Sequence, residues 1–90
     1  MRELTKLQFN AHQDVQQCLA AVAAAGGMFG TRTKTQNAKF NAAMAVTGVL
    51  VPASRDADGV LRTRYMINGI EVARIERTDP CGRDAKFYVL

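Results

Sequence analysis

The chain has 90 residues, of which 48% are hydrophobic and 22% charged, and its formal net charge is +4. This length predicts a single domain over residues 1–90, and the hydrophobic fraction is typical of a globular protein and argues against intrinsic disorder. The longest apolar run, CLAAVAAA at residues 18–25, is too short to cross a bilayer. The opening MRELTKLQFN lacks the basic-then-apolar order of a signal peptide. We therefore expect a cytoplasmic protein with no membrane partner.

Apolar residues in the first quarter of the chain recur at steps of three and four residues. This spacing predicts one face of a long amphipathic helix. Its members are Leu4, Leu7, Ala11, Val15, Cys18, Leu19 and Val22. The helix is expected to end at Gly26-Gly27, because glycine readily takes the left-handed conformation that terminates helices.

Two starting points for this helix are compatible with the sequence. It begins near Glu3, or it begins at Asn10 as an N-cap, with Gln13 placed three residues later as in a capping box. In the second case, Leu7 and Phe9 belong to a short strand.

Residues 28–44 are open to two interpretations. The segment QNAKFNAAMAV predicts a short second helix near residues 36–46, with Phe40, Ala43 and Met44 facing inward. Alternatively, the segment is a loop that leads into the next strand. That strand is predicted over AVTGVLVPA, residues 45–53, and is ended by Pro52.

The strongest local signal is Asn68-Gly69, the preferred pair for a two-residue hairpin turn. Such a turn fixes the pairing of the two flanking strands. The face expected against the helix pairs Ile67 with Ile70, Tyr65 with Val72, and Thr63 with Arg74. The opposite, outer face pairs Met66 with Glu71, Arg64 with Ala73, and Arg62 with Ile75.

Polar turns flank this hairpin, and a last strand is predicted over residues 85–90. The turns are SRDADG at 54–59 and TDPCGRD at 78–84. Together these elements predict an α+β fold. One long N-terminal helix, with a short second helix near 36–46, packs on an antiparallel meander of three to four strands.

Catalytic and metal-binding patterns are missing from the sequence. The glycines at 26, 27 and 30 have neither the spacing nor the strand-to-helix context of a P-loop or a dinucleotide fingerprint. The single histidine, His12, is expected on the surface, and no CxxC pair is present. Cys18 is expected in the core and Cys81 in an exposed turn, both as free thiols. We therefore expect a non-enzymatic protein without a cofactor or a metal ion.

Positive charge is concentrated where negative charge is missing. No Asp or Glu occurs between Val15 and Arg55. The cations of this region and of the outer hairpin face are Arg32, Lys34, Lys39, Arg62 and Arg64, here called the basic strip. Such a strip attracts phosphate groups. The sequence therefore predicts a small non-enzymatic binding protein that engages nucleic acid or a nucleoprotein complex.

A second interpretation is a protein-binding regulator or inhibitor that acts on a single protein target. Small size, the lack of catalytic motifs and unpaired sheet edges favour it, since a free sheet edge can accept a strand from a partner. These features are also common in inhibitors encoded by phages and mobile elements, such as anti-CRISPR proteins. A structural homo-oligomer is the third alternative.

Overall fold

The computed structural model describes residues 1–27 and 30–90 and has the predicted α+β class. The part of the prediction for residues 28–44 that falls on residues 28 and 29 lies outside the described residues. In chain order the elements are β1 (Arg2–Leu4), α1 (Lys6–Ala11), α2 (Gln13–Ala24), α3 (Lys34–Val46), β2 (Gly48–Leu50), β3 (Leu61–Ile67), β4 (Ile70–Arg77) and β5 (Lys86–Val89).

The described strands form one antiparallel sheet with the order β1-β5-β4-β3-β2. Strands β2 to β5 are the predicted meander, and β5 confirms the strand predicted over residues 85–90. The fifth strand, β1, was not predicted as such: it brings Arg2, Glu3 and Leu4 opposite Val89, Tyr88 and Phe87 at the far end of the chain. Strands β1 and β2 are therefore the two edges of the sheet.

The prediction of one long N-terminal helix is wrong, because the chain is extended at His12. The ψ angle of His12 is 135°, which separates α1 from α2. Neither predicted starting point is correct. Thr5 caps α1 through a capping box with Gln8, and His12 caps α2, its Nδ1 accepting a hydrogen bond from the Asp14 amide at 3.2 Å.

The break at His12 changes which side chains of α1 face the core. Leu7, predicted on the apolar face, is 82% exposed, whereas Phe9 is completely buried. A continuous helix over these residues would have placed Leu7 above Ala11 on one face. In the structure α1 instead buries Phe9 and leaves Leu7 in solvent.

Of the two interpretations, the second helix is confirmed as α3, which starts two residues earlier than predicted; Ala43, expected to face inward, is exposed. A capping box fixes this start: Thr33 Oγ1 accepts from the Gln36 amide at 3.2 Å, and Gln36 Oε1 accepts from the Thr33 amide at 3.0 Å. The strand predicted over 45–53 is shorter than expected, because residues 45 and 46 complete α3 and only Gly48–Leu50 pair with β3. A Cβ on Gly48 would lie 3.0 Å from the Met44 Cα, so glycine permits this abrupt change from helix to strand.

The hairpin has the predicted turn but not the predicted pairing throughout. Asn68 and Gly69 both have positive φ, at 53° and 76°, as a type I′ turn requires. Ile67 pairs with Ile70 and Met66 with Glu71, as expected. Beyond that point a β-bulge shifts the register by one residue. The observed pairs are Tyr65 with Ala73, Arg64 with Arg74, Thr63 with Ile75 and Arg62 with Glu76.

The extra residue of the bulge is Val72 in β4. Side chains alternate between the two faces of a strand. One extra residue therefore moves each later side chain of β4 to the face opposite the predicted one. Ala73 is therefore buried, while Arg74 and Glu76 lie on the outer face with Arg62 and Arg64. The exposed Ile70 corrects the prediction that it packs under the helices.

The core lies between the helices and one face of the sheet. Phe9 is at its centre: its ring meets the Tyr65 ring edge-on, with centroids 5.1 Å apart, and lies 5.3 Å from the Phe87 ring. The buried members are Phe9, Val15, Cys18, Val22, Met44, Val49, Tyr65, Ala73 and Val89. Cys18 is buried and Cys81 is exposed, as predicted.

Candidate functional site

The structure divides the five residues of the basic strip between two sides of the sheet. Arg32 precedes α3, and Lys34 and Lys39 lie on it; we call these three the α3 cations. Arg62 and Arg64 alternate along β3 with the buried Thr63 and Tyr65, so they project from the face that the helices leave open. The strip therefore does not form one continuous surface.

Arg62 is held by three carboxylates. Its guanidinium donates to Asp56 Oδ2 at 2.6 Å, to Asp58 Oδ2 at 2.6 Å and to Glu76 Oε2 at 2.9 Å. Its side chain is only 18% exposed. These hydrogen bonds lower the pKa values of Asp56 and Asp58 and raise the pKa of Arg62, because each ion stabilises the other. Arg62 thus has little capacity left for a phosphate group.

The other arginines of this face are also paired. Arg64 donates to Asp56 at 3.1 Å. Arg74 makes a two-pronged contact with Glu71, at 2.8 and 2.9 Å, and lies 3.5 Å from Glu76. Three guanidinium groups therefore face four carboxylates, and this network leaves no excess of positive charge. The sequence shows Asp56 and Asp58 four to six residues before Arg62, but not that their turn folds back onto the hairpin.

The α3 cations have a different environment. In the described part of the chain, no carboxylate lies within ion-pair distance of Arg32, Lys34 or Lys39. All of α3 is exposed except Phe40 and Met44, which form its inner face. This side of the molecule keeps its positive charge.

Arg32 is positioned by two contacts. Its guanidinium carbon lies 3.8 Å from the centroid of the Phe40 ring, and its Nη2 donates to the Gly27 carbonyl. The capping box of Thr33 then fixes where α3 begins, immediately after Arg32. Within residues 1–27 and 30–90, Gly27 is the one hydrogen-bond acceptor that this guanidinium contacts, and its other N–H groups can donate to an anionic partner.

A groove of about 330 Å³ lies between α3 and the edge strand β2, and we call it the β2 groove. Arg32, Asn37, Phe40 and Asn41 line one side of it, and residues 49–51 line the other. Sequence reasoning missed the two asparagines. Their spacing of four residues, which places them on the same side of a helix, is the sequence signal by which they could have been found.

The groups that catalysis or metal binding would use are occupied or dispersed. His12 caps α2, and Cys18 donates to the Met66 carbonyl at 3.2 Å in a buried position that raises the pKa of its thiol. Within residues 1–27 and 30–90, no three His, Cys, Asp or Glu side chains are placed to hold a metal ion. In the same residues, no helix is long and apolar enough to cross a membrane.

Comparisons of this chain with protein-family models, with curated proteins and with solved structures gave no match. Its function is inferred from the surfaces described above, of which the exposed side of α3 carries three cations without a carboxylate in ion-pair distance among residues 1–27 and 30–90.

Proposed function

We propose that this chain is a non-enzymatic binding domain that contacts nucleic acid, free or within a nucleoprotein complex, through the exposed side of α3. The observation that carries the proposal is the charge of the α3 cations. They are three cations on one short segment, without a carboxylate in reach among the described residues. Phosphate groups bind to such positions because their contacts release counterions from the nucleic acid.

The shape of α3 also supports a close approach to a nucleic-acid backbone. With 3.6 residues per turn, Thr35, Ala38 and Ala42 lie on the side opposite Phe40 and Met44. Lys34 and Lys39 stand on the two sides of this row of small residues. A phosphate backbone or a groove can therefore come near the helix axis while both lysines reach outward to phosphate oxygens.

The hairpin arginines are left out of the proposed contact, because their carboxylate partners would have to be displaced first. This reduces the contact from five cations to three. For duplex DNA, three phosphate contacts predict that the logarithm of the binding constant falls with the logarithm of the salt concentration with a slope of about −2.7. The expected binding is therefore modest in affinity and has little sequence specificity.

The proposal is tested by fluorescence anisotropy with a labelled DNA duplex and an RNA of the same sequence, titrated between about 50 and 200 mM salt. We expect Lys34→Glu combined with Lys39→Glu to weaken binding to every sequence. Removing two phosphate contacts should also reduce the magnitude of the salt slope by about two.

The matched control is Lys6→Glu combined with Lys86→Glu. Both lysines are exposed and distant from α3 in the chain, and the pair changes the net charge by the same amount. Equal weakening in both double variants would mean that only the overall charge matters. An unchanged salt slope in the α3 variant would exclude α3 as the contact.

The second candidate is the protein-binding regulator or inhibitor, and the observation that favours it is the open edge of β2 beside the β2 groove. A pull-down from nuclease-treated lysate distinguishes the two functions. A single stoichiometric protein that survives nuclease treatment supports the regulator. If no protein is recovered once the nucleic acid has been digested, the result supports the nucleic-acid contact.

A further inference from the structure

The two edges of the sheet differ in charge. β1 carries Arg2 and Glu3, and charged side chains on an edge strand discourage pairing with another chain. β2, with the sequence Gly48–Leu50, carries no charge, and the following Val51 is 53% exposed. In the described residues β2 pairs on one side only, with β3. The apolar edge of β2 is thus open to strand addition, and the edge of β1 is protected.

The β2 groove runs along this open edge. Val49 is buried under the helices, while Leu50 pairs with Arg64 and so shares the outer face. Because both residues line the groove, it extends around the edge of the strand rather than lying over one face. Its volume, about 330 Å³, is large enough for the side chains of a short extended segment.

We propose that the β2 groove receives an extended, acidic segment of a partner protein, which pairs with β2 as an additional strand. The free N–H and C=O groups of an edge strand bind an extended backbone in this way. The acidic character follows from Arg32, whose guanidinium lines the groove, and from the lack of a carboxylate among the lining residues. A Glu or Asp of the partner can form a charge-assisted pair with Arg32.

Three residues of α3 complete the site. Asn37 and Asn41 present side-chain amides that can donate to and accept from the backbone of the added strand on the side away from β2. The Phe40 ring, held under Arg32, provides an apolar floor for an alternate side chain. This site goes beyond the nucleic-acid contact proposed above, because it uses the inner flank of α3 and the edge of β2. Arg32 is the one α3 cation that borders the groove in the described structure.

The test uses random linear peptides displayed on phage and selected on the immobilised full chain. We expect the selected peptides to be rich in Asp and Glu, free of proline at the paired positions, and apolar at alternate residues. A synthetic copy of the best peptide should then slow the hydrogen exchange of amides in residues 49–51, as measured by NMR. Protection confined to these amides reports strand addition, whereas a ligand bound elsewhere that only stabilises the fold slows the exchange of core amides as well.

Variants locate the site. Asn41→Trp fills the groove, and Arg32→Glu repels the acidic segment; each should weaken peptide binding by about tenfold or more, with Arg32→Lys intermediate. Ala42→Trp is the matched control, because it adds the same bulk to the exposed side of the same helix and should leave peptide affinity unchanged. Circular dichroism and NMR spectra verify that each variant is folded.

Several results would overturn the inference. These are the absence of enriched peptides, enriched peptides that are not acidic, or unprotected amides at 49–51. If the chain forms dimers that protect the amides of residues 49–51 without peptide, the occupant of the groove is a second copy of the chain. If an oligonucleotide protects these amides, the groove is a nucleic-acid site. Asn41→Trp separates the two proposals because it changes no charge: it should reduce peptide binding and leave the salt slope of oligonucleotide binding unchanged.

Discussion

Arg62 in β3 donates from Nε to Glu76 Oε2 in β4 at 2.9 Å, and the two residues are direct cross-strand partners. They meet only because Val72 is an extra residue in β4. In a regular two-residue hairpin, Arg62 would face Ile75, and Glu76 would lie on the other side of the sheet. The bulge therefore converts the outer face of the hairpin from a row of free arginines into an ion-pair network.

A double-mutant cycle tests this register. We expect Arg62→Ala and Glu76→Ala each to lower the free energy of unfolding. The double variant should lower it by less than the sum of the two single effects, because the two side chains interact. The measurement is the free energy of unfolding in urea. The control cycle combines Arg62→Ala with Ile75→Ala, which lie on opposite faces and should be additive. Coupling in the control cycle but not in the first would support the regular register.

The break between α1 and α2 predicts opposite outcomes for two nearby apolar residues. Phe9→Ala removes a fully buried ring that contacts Tyr65 and Phe87 and should lower the free energy of unfolding by about 3–5 kcal/mol. Leu7→Ala should change it by less than about 0.5 kcal/mol, because this side chain is exposed. Urea denaturation measures both. A large effect at Leu7 would indicate the continuous helix that the sequence pattern predicts.

Asp84 makes the stability of the fold sensitive to acid. The Thr78 hydroxyl and the amides of Asp79 and Thr78 donate to its carboxylate and lower its pKa from 3.8 to about 2. A carboxyl group whose pKa is lower in the folded state than in the unfolded state stabilises the fold. This contribution is complete at every pH above the pKa of the unfolded state. This contribution is lost as the pH falls from about 4 through about 2.

The Asp84→Asn variant isolates this contribution. We expect it to be less stable than the native sequence at neutral pH, and the difference between the two to shrink steadily as the pH falls from about 4 toward 2. Urea denaturation at a series of pH values measures the difference. A difference that is constant with pH would show that the carboxylate charge has no part in holding the 78–84 turn.

The two cysteines should differ in reactivity. Cys81 is exposed, whereas Cys18 is buried, and burial raises the pKa of its thiol, so that little reactive thiolate forms. Titration with a thiol-reactive disulfide reagent should therefore modify Cys81 alone in the folded protein and both residues in urea. Cys81→Ser is the control, since the folded variant should not react. Rapid modification of Cys18 in that variant would contradict its burial.

Local signals in the sequence predicted α3 and the turn of the hairpin. Asn68-Gly69 favours positive φ at both positions whatever surrounds it, and QNAKFNAAMAV favours a helix through its own residues. The N-terminal helix was wrongly predicted because its apolar period is almost continuous across His12. Its break depends on how Phe9 packs against β3 and β5, which are distant in the chain.

The candidate surfaces were predicted in part. The sequence shows that no Asp or Glu lies near Lys34 and Lys39 in the chain. Because lysine side chains are usually exposed, it also predicts that these two lie on the surface. The β2 groove was not predicted, because its two sides come from different elements. The role of Arg32 could not be anticipated either, since its position over Phe40 exists only once α3 has formed and docked on β2.

The sequence by itself determined the α+β class, the hairpin turn and the concentration of positive charge in the middle third, because each depends on residues that are near one another in the chain. It left the second helix as one of two interpretations. Only the tertiary structure decided which cations of the basic strip are paired with carboxylates. Ion pairs such as Arg62 with Asp56 and Glu76 require a turn and a strand to be brought together, and one bulged residue sets which side chains meet. Contacts between a turn and two strands therefore remove the excess positive charge from the outer face of the hairpin, whereas the α3 cations have no carboxylate within ion-pair distance among the described residues.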